Sequence, residues 1–292
     1  MIMYGEEYLK QHIGPELSIN KFGYDFGEVE RYFFKKCRQY GIEYSCDCTA
    51  NENTFFKTLN YTTYSGMFIV HPLCMSETIF QISDAIADRL EPVGHIEHIK
   101  DRIDKNIQSK YASNKQDNEL QGPIDAVIVM AGSNKVYEHT STKKMRKLNR
   151  VYGSKAVIKP HPITTDAIIK DMKESFTDLR VADKFDDLYS YIKKAKKVYT
   201  THISETALTA KIMGKEIEPI DPFGVRLTGS FSHINRVCFT HENPLSDLDS
   251  AFTSAKSGVF NPLVDKDWKL KMDDYFEYIM SRRAVQKGHY LE

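Results

Sequence analysis

Lys159-Pro160-His161-Pro162 sets one imidazole between two prolines, directly after the apolar pair Val157-Ile158. Proline has no amide to donate, so the turn ends a sheet strand and holds the histidine rigidly at its carboxyl edge. About forty positions later, Thr200-Thr201-His202-Ile203-Ser204-Glu205 presents hydroxyls ahead of a helical stretch. A third loop, Gly132-Ser133-Asn134-Lys135, is small, rich in amide donors and leads toward a helix start. Histidine, hydroxyls and backbone amides at helix starts are groups that bind a phosphate or diphosphate. Each loop also has a plain structural role, Gly132 as a turn residue and Ser204 as a helix cap.

The elements that must position these loops are regular from Pro123 onward. Asp125 to Ala131 is a continuous apolar run, as expected for a strand buried on both faces of a parallel sheet. Further strands are predicted at Ala156–Ile158, Leu179–Ala182, Lys197–Thr200 and Glu216–Ile220. Helices are predicted in the stretch that follows Gly132-Ser133-Asn134 and ends near Tyr152-Gly153, and at Thr165–Phe176, Asp186–Lys194 and Ser204–Met213. This alternation is the signature of a doubly wound, Rossmann-like domain, which binds ligands at the carboxyl edge of its strands. Beyond Asp221 the chain reads as loop-rich until a last helix from about Asp267 to Lys287.

The first third is more irregular and aromatic. Glu28–Tyr40 has helical spacing, Ile42–Cys48 and Met67–Val70 read as strands, and Met75–Leu90 reads as a helix. The polar segment Ser113 to Asn118 is the best candidate for a linker. The expected division is residues 1–120 as an acceptor-side α/β domain and 121–266 as a nucleotide-sugar-binding domain. Residues 267–292 would form a helix packing back across both.

Composition narrows the class. Lysine plus arginine equals aspartate plus glutamate, 40 each, so net charge names no partner. No apolar run approaches the roughly 18 residues of a membrane span, and Met1 to Lys10 has no signal-like apolar core. The expected location is the cytoplasm. Five cysteines without a repeating framework suggest reduced thiols, and Cys46-Asp47-Cys48 lacks a second pair at zinc-like spacing. No metal-ligand cluster is visible in the sequence.

The stretch from Val157 to Pro162, with Val198 to Thr201 and Gly214-Lys215, resembles the C-terminal domain of GT-B glycosyltransferases carrying a Lys-Pro-His-Pro signature. That group includes capsule Kdo transferases, bacterial sialyl- and polysialyltransferases, and glycerophosphotransferases of wall teichoic acid synthesis. The likeness covers Asp125 to Ile217. It implies an α/β, GT-B-like fold, two Rossmann-like domains facing a cleft, the N-terminal one small. It also implies a metal-independent transferase with a UDP- or CMP-linked nucleotide sugar as co-substrate and no bound cofactor. His161 would contact the donor phosphates, with Lys159, Gly132, Ser133, Thr201, Ser204 and Glu205 beside it. One departure stands out: the family's glutamate before the closing Gly-Lys falls at Thr209, followed by Ala210, and the nearest acid is Glu205.

Such a mechanism has an acceptor hydroxyl attack the anomeric carbon while fixed donors stabilise the leaving phosphate. If the outcome is inversion, the general base comes from the N-terminal domain, where Asp47, His71, Glu77 and Asp25 are the candidates. The acidic base motif of the sialyltransferases is not evident. For the acceptor, the basic stretch Lys143, Lys144, Arg146, Lys147 and Arg150 offers a phosphate-backbone contact, extended by Lys193, Lys194, Lys196, Lys197, Arg282 and Arg283. Its bland reading is a solvated helix face with Met145 and Leu148 inward. The aromatics Phe55, Phe56, Tyr61 and Tyr64 could stack on a flipped base. Bacteriophage enzymes that glycosylate hydroxymethylated cytosine share the GT-B fold, so modified DNA ranks first and a capsule or surface polysaccharide second. A non-catalytic nucleotide- or glycan-binding module, or an epimerase or hydrolase, is the remaining alternative.

Overall fold

The computed structural model describes residues 26–46, 54–59, 67–72, 75–105, 122–132, 136–221 and 231–289. These fall into two compact units, one drawn from residues 26–99 and 243–289, the other from residues 100–242. The chain thus re-enters the first unit at Asn243, well ahead of the expected return at 267.

The first unit begins with α1 (Phe26–Gln39), then β1 (Glu43–Cys46), β2 (Thr54–Leu59), β3 (Phe68–Pro72) and α2 (Met75–Ala87). Helix α3 (His95–Asp104) starts in this unit and ends in the second. Its four-stranded sheet runs β1-β2-β3-β9, with β1 parallel to β2 and the other neighbours antiparallel. It is therefore a mixed sheet, not the second Rossmann-like sheet that was expected. The connection from Leu59 to Phe68 is too short for a helical crossover and suits an antiparallel return. Strand β3 also continues through His71 and Pro72, which pair with Lys57 and Phe56.

The core of this unit is aromatic. Val29, Phe33 and Cys37 recur at helical spacing on α1, and all are buried. They meet Phe68 and Val70 of β3, and Phe276 with its neighbours on the last helix. Phe33 packs on Phe68 and Phe276 with ring centroids 5.9 and 5.5 Å apart. Fully buried side chains of this size contribute about 1.5–3 kcal/mol each.

The second unit holds β4 (Ala126–Val129), α4 (Thr142–Tyr152), β5 (Ala156–Lys159), α5 (Asp166–Ser175), β6 (Arg180–Val181) and α6 (Leu188–Lys194). It continues with β7 (Lys197–Thr200), α7 (Thr206–Ile212), β8 (Glu216–Pro219) and α8 (Ser232–Thr240). All five strands are parallel in the order β6-β5-β4-β7-β8. Along β4 the side chains alternate between two cores. Ala126 and Ile128 face Met145, Leu148 and Met172, whereas Val127 and Val129 face Tyr191, Ile192 and Ala210. A sheet covered on both faces demands the continuous apolar strands that this stretch carries. The order reverses between β4 and β7, so the crevice of this sheet opens at the carboxyl ends of those two strands.

The stretch after Asp221 holds helices where loops were expected, α8 in the second unit and α9 (Pro244–Thr253) in the first. Pro244 opens α9, and Leu248, Ala251 and Phe252 are buried at helical spacing. Strand β9 (Val259–Phe260) and α10 (Trp268–His289) then complete the first unit, where α10 contributes Trp268, Met272, Tyr275, Phe276 and Ile279 to the core.

Gly258 precedes β9 with φ +67°, and a Cβ there would intrude on the Val70 carbonyl and the Gln81 amide. Gly258→Ala is therefore expected to destabilise this unit by roughly 3 kcal/mol. A urea midpoint equal to the wild type would contradict that packing.

Candidate functional site

The carboxyl edge of the second unit gathers four loops. Gly132 is buried just beyond β4, His161 follows β5, Thr201 to Glu205 follow β7, and Asp221 follows β8.

The His161 turn is braced from below. Lys159 is buried within β5, and its ammonium donates to the carbonyls of Lys184 (2.7 Å) and Pro160 (3.2 Å). Burial pulls its pKa down to about 8, with Asp186, Asp183 and Asp187 acting in the opposite sense. Lys184 in turn donates to Asp166 (2.9 Å) and to the carbonyl of Thr164 (3.3 Å), and the Thr164 amide donates to the His161 carbonyl. His161 is half-buried, and its Nδ1 accepts the amide of Ile163 at 3.3 Å. That bond fixes the ring plane and leaves the proton of the neutral imidazole on Nε2. Lys159 thus holds the turn in place through two backbone carbonyls.

Beyond β7, Thr201 and His202 are fully buried. Ser204 accepts the Thr206 amide at 3.2 Å and donates to its hydroxyl at 2.9 Å, which is the capping role. Glu205 is half-buried at the start of α7, and its carbonyl accepts the hydroxyl of buried Thr209 at 3.4 Å. Thr209 is therefore engaged within the helix. Asn235 of α8 donates to the carbonyls of His202 (2.6 Å) and Ser204 (2.7 Å), pinning this loop from a third side.

Sequence reading missed the most concentrated chemistry on this edge. His139, His202 and Asp221 are buried together, each offering a ligand atom within 4.8 Å of the others. Asp221 Oδ2 accepts the backbone amide of His202 at 3.0 Å. Its Oδ1 lies 3.3 Å from His139 Nδ1 and 2.9 Å from His202 Nδ1. The second distance is off hydrogen-bond alignment, so neither ring nitrogen of His202 has a hydrogen-bond partner among the described residues. The two rings meet edge to face at 5.3 Å. Glu138 approaches His139 Nε2 at 3.7 Å, and burial lowers the His139 pKa against the opposing pull of Glu138 and Asp221. The hydroxyls of Thr200 and Thr201 are likewise buried without a partner among the described residues.

Other expected residues divide as follows. Lys143, Arg146, Lys147 and Arg150 are exposed on α4 with Met145 and Leu148 inward, but Lys144 donates to the Pro219 carbonyl at 2.5 Å. Lys196 pairs with Asp125 (2.9 Å), and Lys197 with Glu216 (2.5 Å) and Glu218 (3.1 Å). Arg282 pairs with Asp84 in the first unit. Asp25, Asp47, Ser133, Tyr61, Tyr64 and the 113–118 segment lie outside the described residues, and of His71, Glu77, Phe55 and Phe56 only the backbone is described.

Two outcomes follow. The unfolded chain binds more protons at Lys159 than the folded one between its folded pKa of about 8 and its ordinary 10.5, so this site adds stability as pH rises through that window. Wild type should gain roughly 2–3 kcal/mol over Lys159→Met across it, read from urea midpoints at both ends. A constant difference would show that Lys159 is not desolvated. Asn235→Ala strands two loop carbonyls and should cost about 2–4 kcal/mol, measured by thermal unfolding. A loss below measurement error would mean that solvent reaches them.

No protein-family model matches this sequence, and no curated protein does. Among solved structures, KpsC of Thermosulfurimonas dismutans, a beta Kdo 2,7 transferase, superposes at a TM-score of 0.44 with 10% identity, over 78% of this chain and 88% of that one. A likeness at that level leaves the activity to be argued from this chain's own residues.

Proposed function

We propose that the second unit binds a nucleotide-sugar donor and that the protein is a glycosyltransferase. The observation that carries this reading is the setting of His161. It stands at the carboxyl end of the strand beside β4, in a parallel sheet of doubly wound order, on a turn whose backbone is held by Lys159 and Lys184. A histidine so fixed serves an anion that must be met in one place, which is what the departing phosphate of a sugar nucleotide requires.

In the proposed reaction the acceptor oxygen forms a bond to the anomeric carbon. The bond from that carbon to the phosphate oxygen breaks, and the nucleotide leaves with the electron pair. His161 stabilises the charge that develops on the phosphate. The acceptor proton passes to a base, for which Asp25, Asp47, His71 and Glu77 remain the candidates.

A saccharide hydroxyl is favoured over DNA as acceptor. The basic residues do not form a continuous free face, since Lys144 is bonded inside the fold and Lys196 and Lys197 are paired with carboxylates. A surface or capsule polysaccharide is therefore the acceptor class to test first.

The experiment is a thermal-shift screen with UDP, CMP, GDP, ADP and their sugar conjugates, followed by nucleotide release with and without oligosaccharide acceptors. A ligand at one hundred times its dissociation constant stabilises the folded state by about 2.7 kcal/mol. One nucleotide should raise the midpoint, His161→Ala should abolish the shift, and transfer should fall roughly 100-fold or more in the folded variant. Wild-type turnover by folded His161→Ala would overturn the assignment.

A further inference from the structure

The geometry points to a divalent metal site at His139, His202 and Asp221. We infer that this trio takes a borderline cation of the Zn²⁺ or Fe²⁺ class, apart from any nucleotide and independent of the donor reading.

The three residues come from the ends of three neighbouring strands. His139 lies in the connection after β4, His202 follows β7, and Asp221 follows β8. Their side chains are 2%, 0% and 1% exposed. Two imidazoles with one carboxylate is a donor set for zinc and non-haem iron. Ligands about 2.0–2.1 Å from such an ion stand roughly 3.0–3.4 Å from each other. Of the observed separations between the carboxylate oxygen and the two Nδ1 atoms, 3.3 Å lies within that spacing and 2.9 Å just below it.

Hydrogen bonding within the trio accounts for only part of the arrangement, namely the contact of His139 Nδ1 with Asp221 Oδ1 and the His202 amide on Oδ2. His202 is fully buried, yet neither of its ring nitrogens has a hydrogen-bond partner among the described residues. His139 faces a carboxylate on each side, Asp221 at Nδ1 and Glu138 at Nε2. Either neutral tautomer therefore turns one lone pair toward a carboxylate oxygen. A cation held by Nδ1 and Oδ1 removes that conflict and directs the Nε2 proton toward Glu138, the outer-shell arrangement common around metal-bound histidine. The His202 amide fixes Asp221 through Oδ2, which leaves Oδ1 to face both rings.

Burial defines the role. At this exposure the ion would not meet a sugar or an acceptor, and it would tie the loop after β7 to the ends of β4 and β8. The residues it fixes include Thr201 and Ser204, on the proposed donor edge.

The test uses chelator-stripped full-length protein titrated with Zn²⁺ and Co²⁺ in a calorimeter, with no nucleotide present. The wild type should bind one ion per chain and unfold at a higher temperature when loaded. Asp221→Asn and His139→Gln, each checked for folding by circular dichroism, should bind roughly 100-fold more weakly. X-ray absorption on the loaded wild type should show two imidazole ligands, a readout that needs no variant to fold. Absence of binding, unchanged affinity in folded variants, or absorption without imidazole would each overturn the site. A doubly protonated His139 in imidazole ¹⁵N spectra of metal-treated protein would instead assign the trio to a buried ion pair. A failed nucleotide screen bears on the donor reading alone, because the metal titration contains no nucleotide.

Discussion

A carboxylate taken out of water has to be answered by donors or cations, and Asp221 sets that demand on the carboxyl edge of the parallel sheet, beyond its outermost strand β8. Its position follows from the fold, because β8 delivers residue 221 to the same edge to which β7 delivers His202. One oxygen is met by the His202 amide, which locks the loop after β7 to the end of β8. The other faces two imidazole nitrogens. Sheet and loops are thereby coupled: a shift of β8 would break the amide bond and separate the rings. Thr200 and Ile220 strengthen the coupling through their own backbone bond, and Ile220 also receives the amide of Ser141 at the start of α4.

The neighbouring half of the edge solves a related problem with the opposite charge. Lys159 is a buried ammonium balanced by carbonyls and by three nearby aspartates, not by one close carboxylate. Its bonds join the end of β5 to the loop after β6, and Lys184 returns the link to the turn after β5. Two prolines restrict the backbone around His161, and these two lysines restrict where that backbone sits. Rigidity of this kind suits a histidine that must meet a fixed anion, since little reorganisation is left for the moment of binding.

The parallel sheet was legible because a strand buried on both faces has to be apolar throughout, as Ala126–Val129 and Ala156–Ile158 are. His161 was legible because prolines mark its turn locally. The buried trio was not, since Asp221 lies 82 positions from His139 and 19 from His202, and no local pattern joins them. A signal did exist at two of the three positions, His202 and Asp221 just after predicted strands, but it becomes specific only once the strand order is known. Helix α9 was missed despite Pro244 at its start and Leu248, Ala251 and Phe252 at helical spacing, because serine and aspartate elsewhere in it read as loop. The mixed sheet of the first unit was missed for a different reason. Short apolar strands look alike whether they pair parallel or antiparallel, and connection length does not separate the cases here, since β1 and β2 pair parallel and β2 and β3 antiparallel across connections of similar length.

The two constellations on the edge divide by exposure. His161 is half-buried, whereas His139, His202 and Asp221 are buried. The buried trio can influence a ligand only through what it positions, and the loop it positions runs through Thr201 and Ser204 to Glu205. Asn235 holds the same loop by the carbonyls of His202 and Ser204. Glu205 is half-buried at the start of α7, and its carbonyl accepts the hydroxyl of buried Thr209 one turn on. Asp221 and Asn235 anchor that loop from two sides, so the start of α7 is held by the end of β8 and by α8 together.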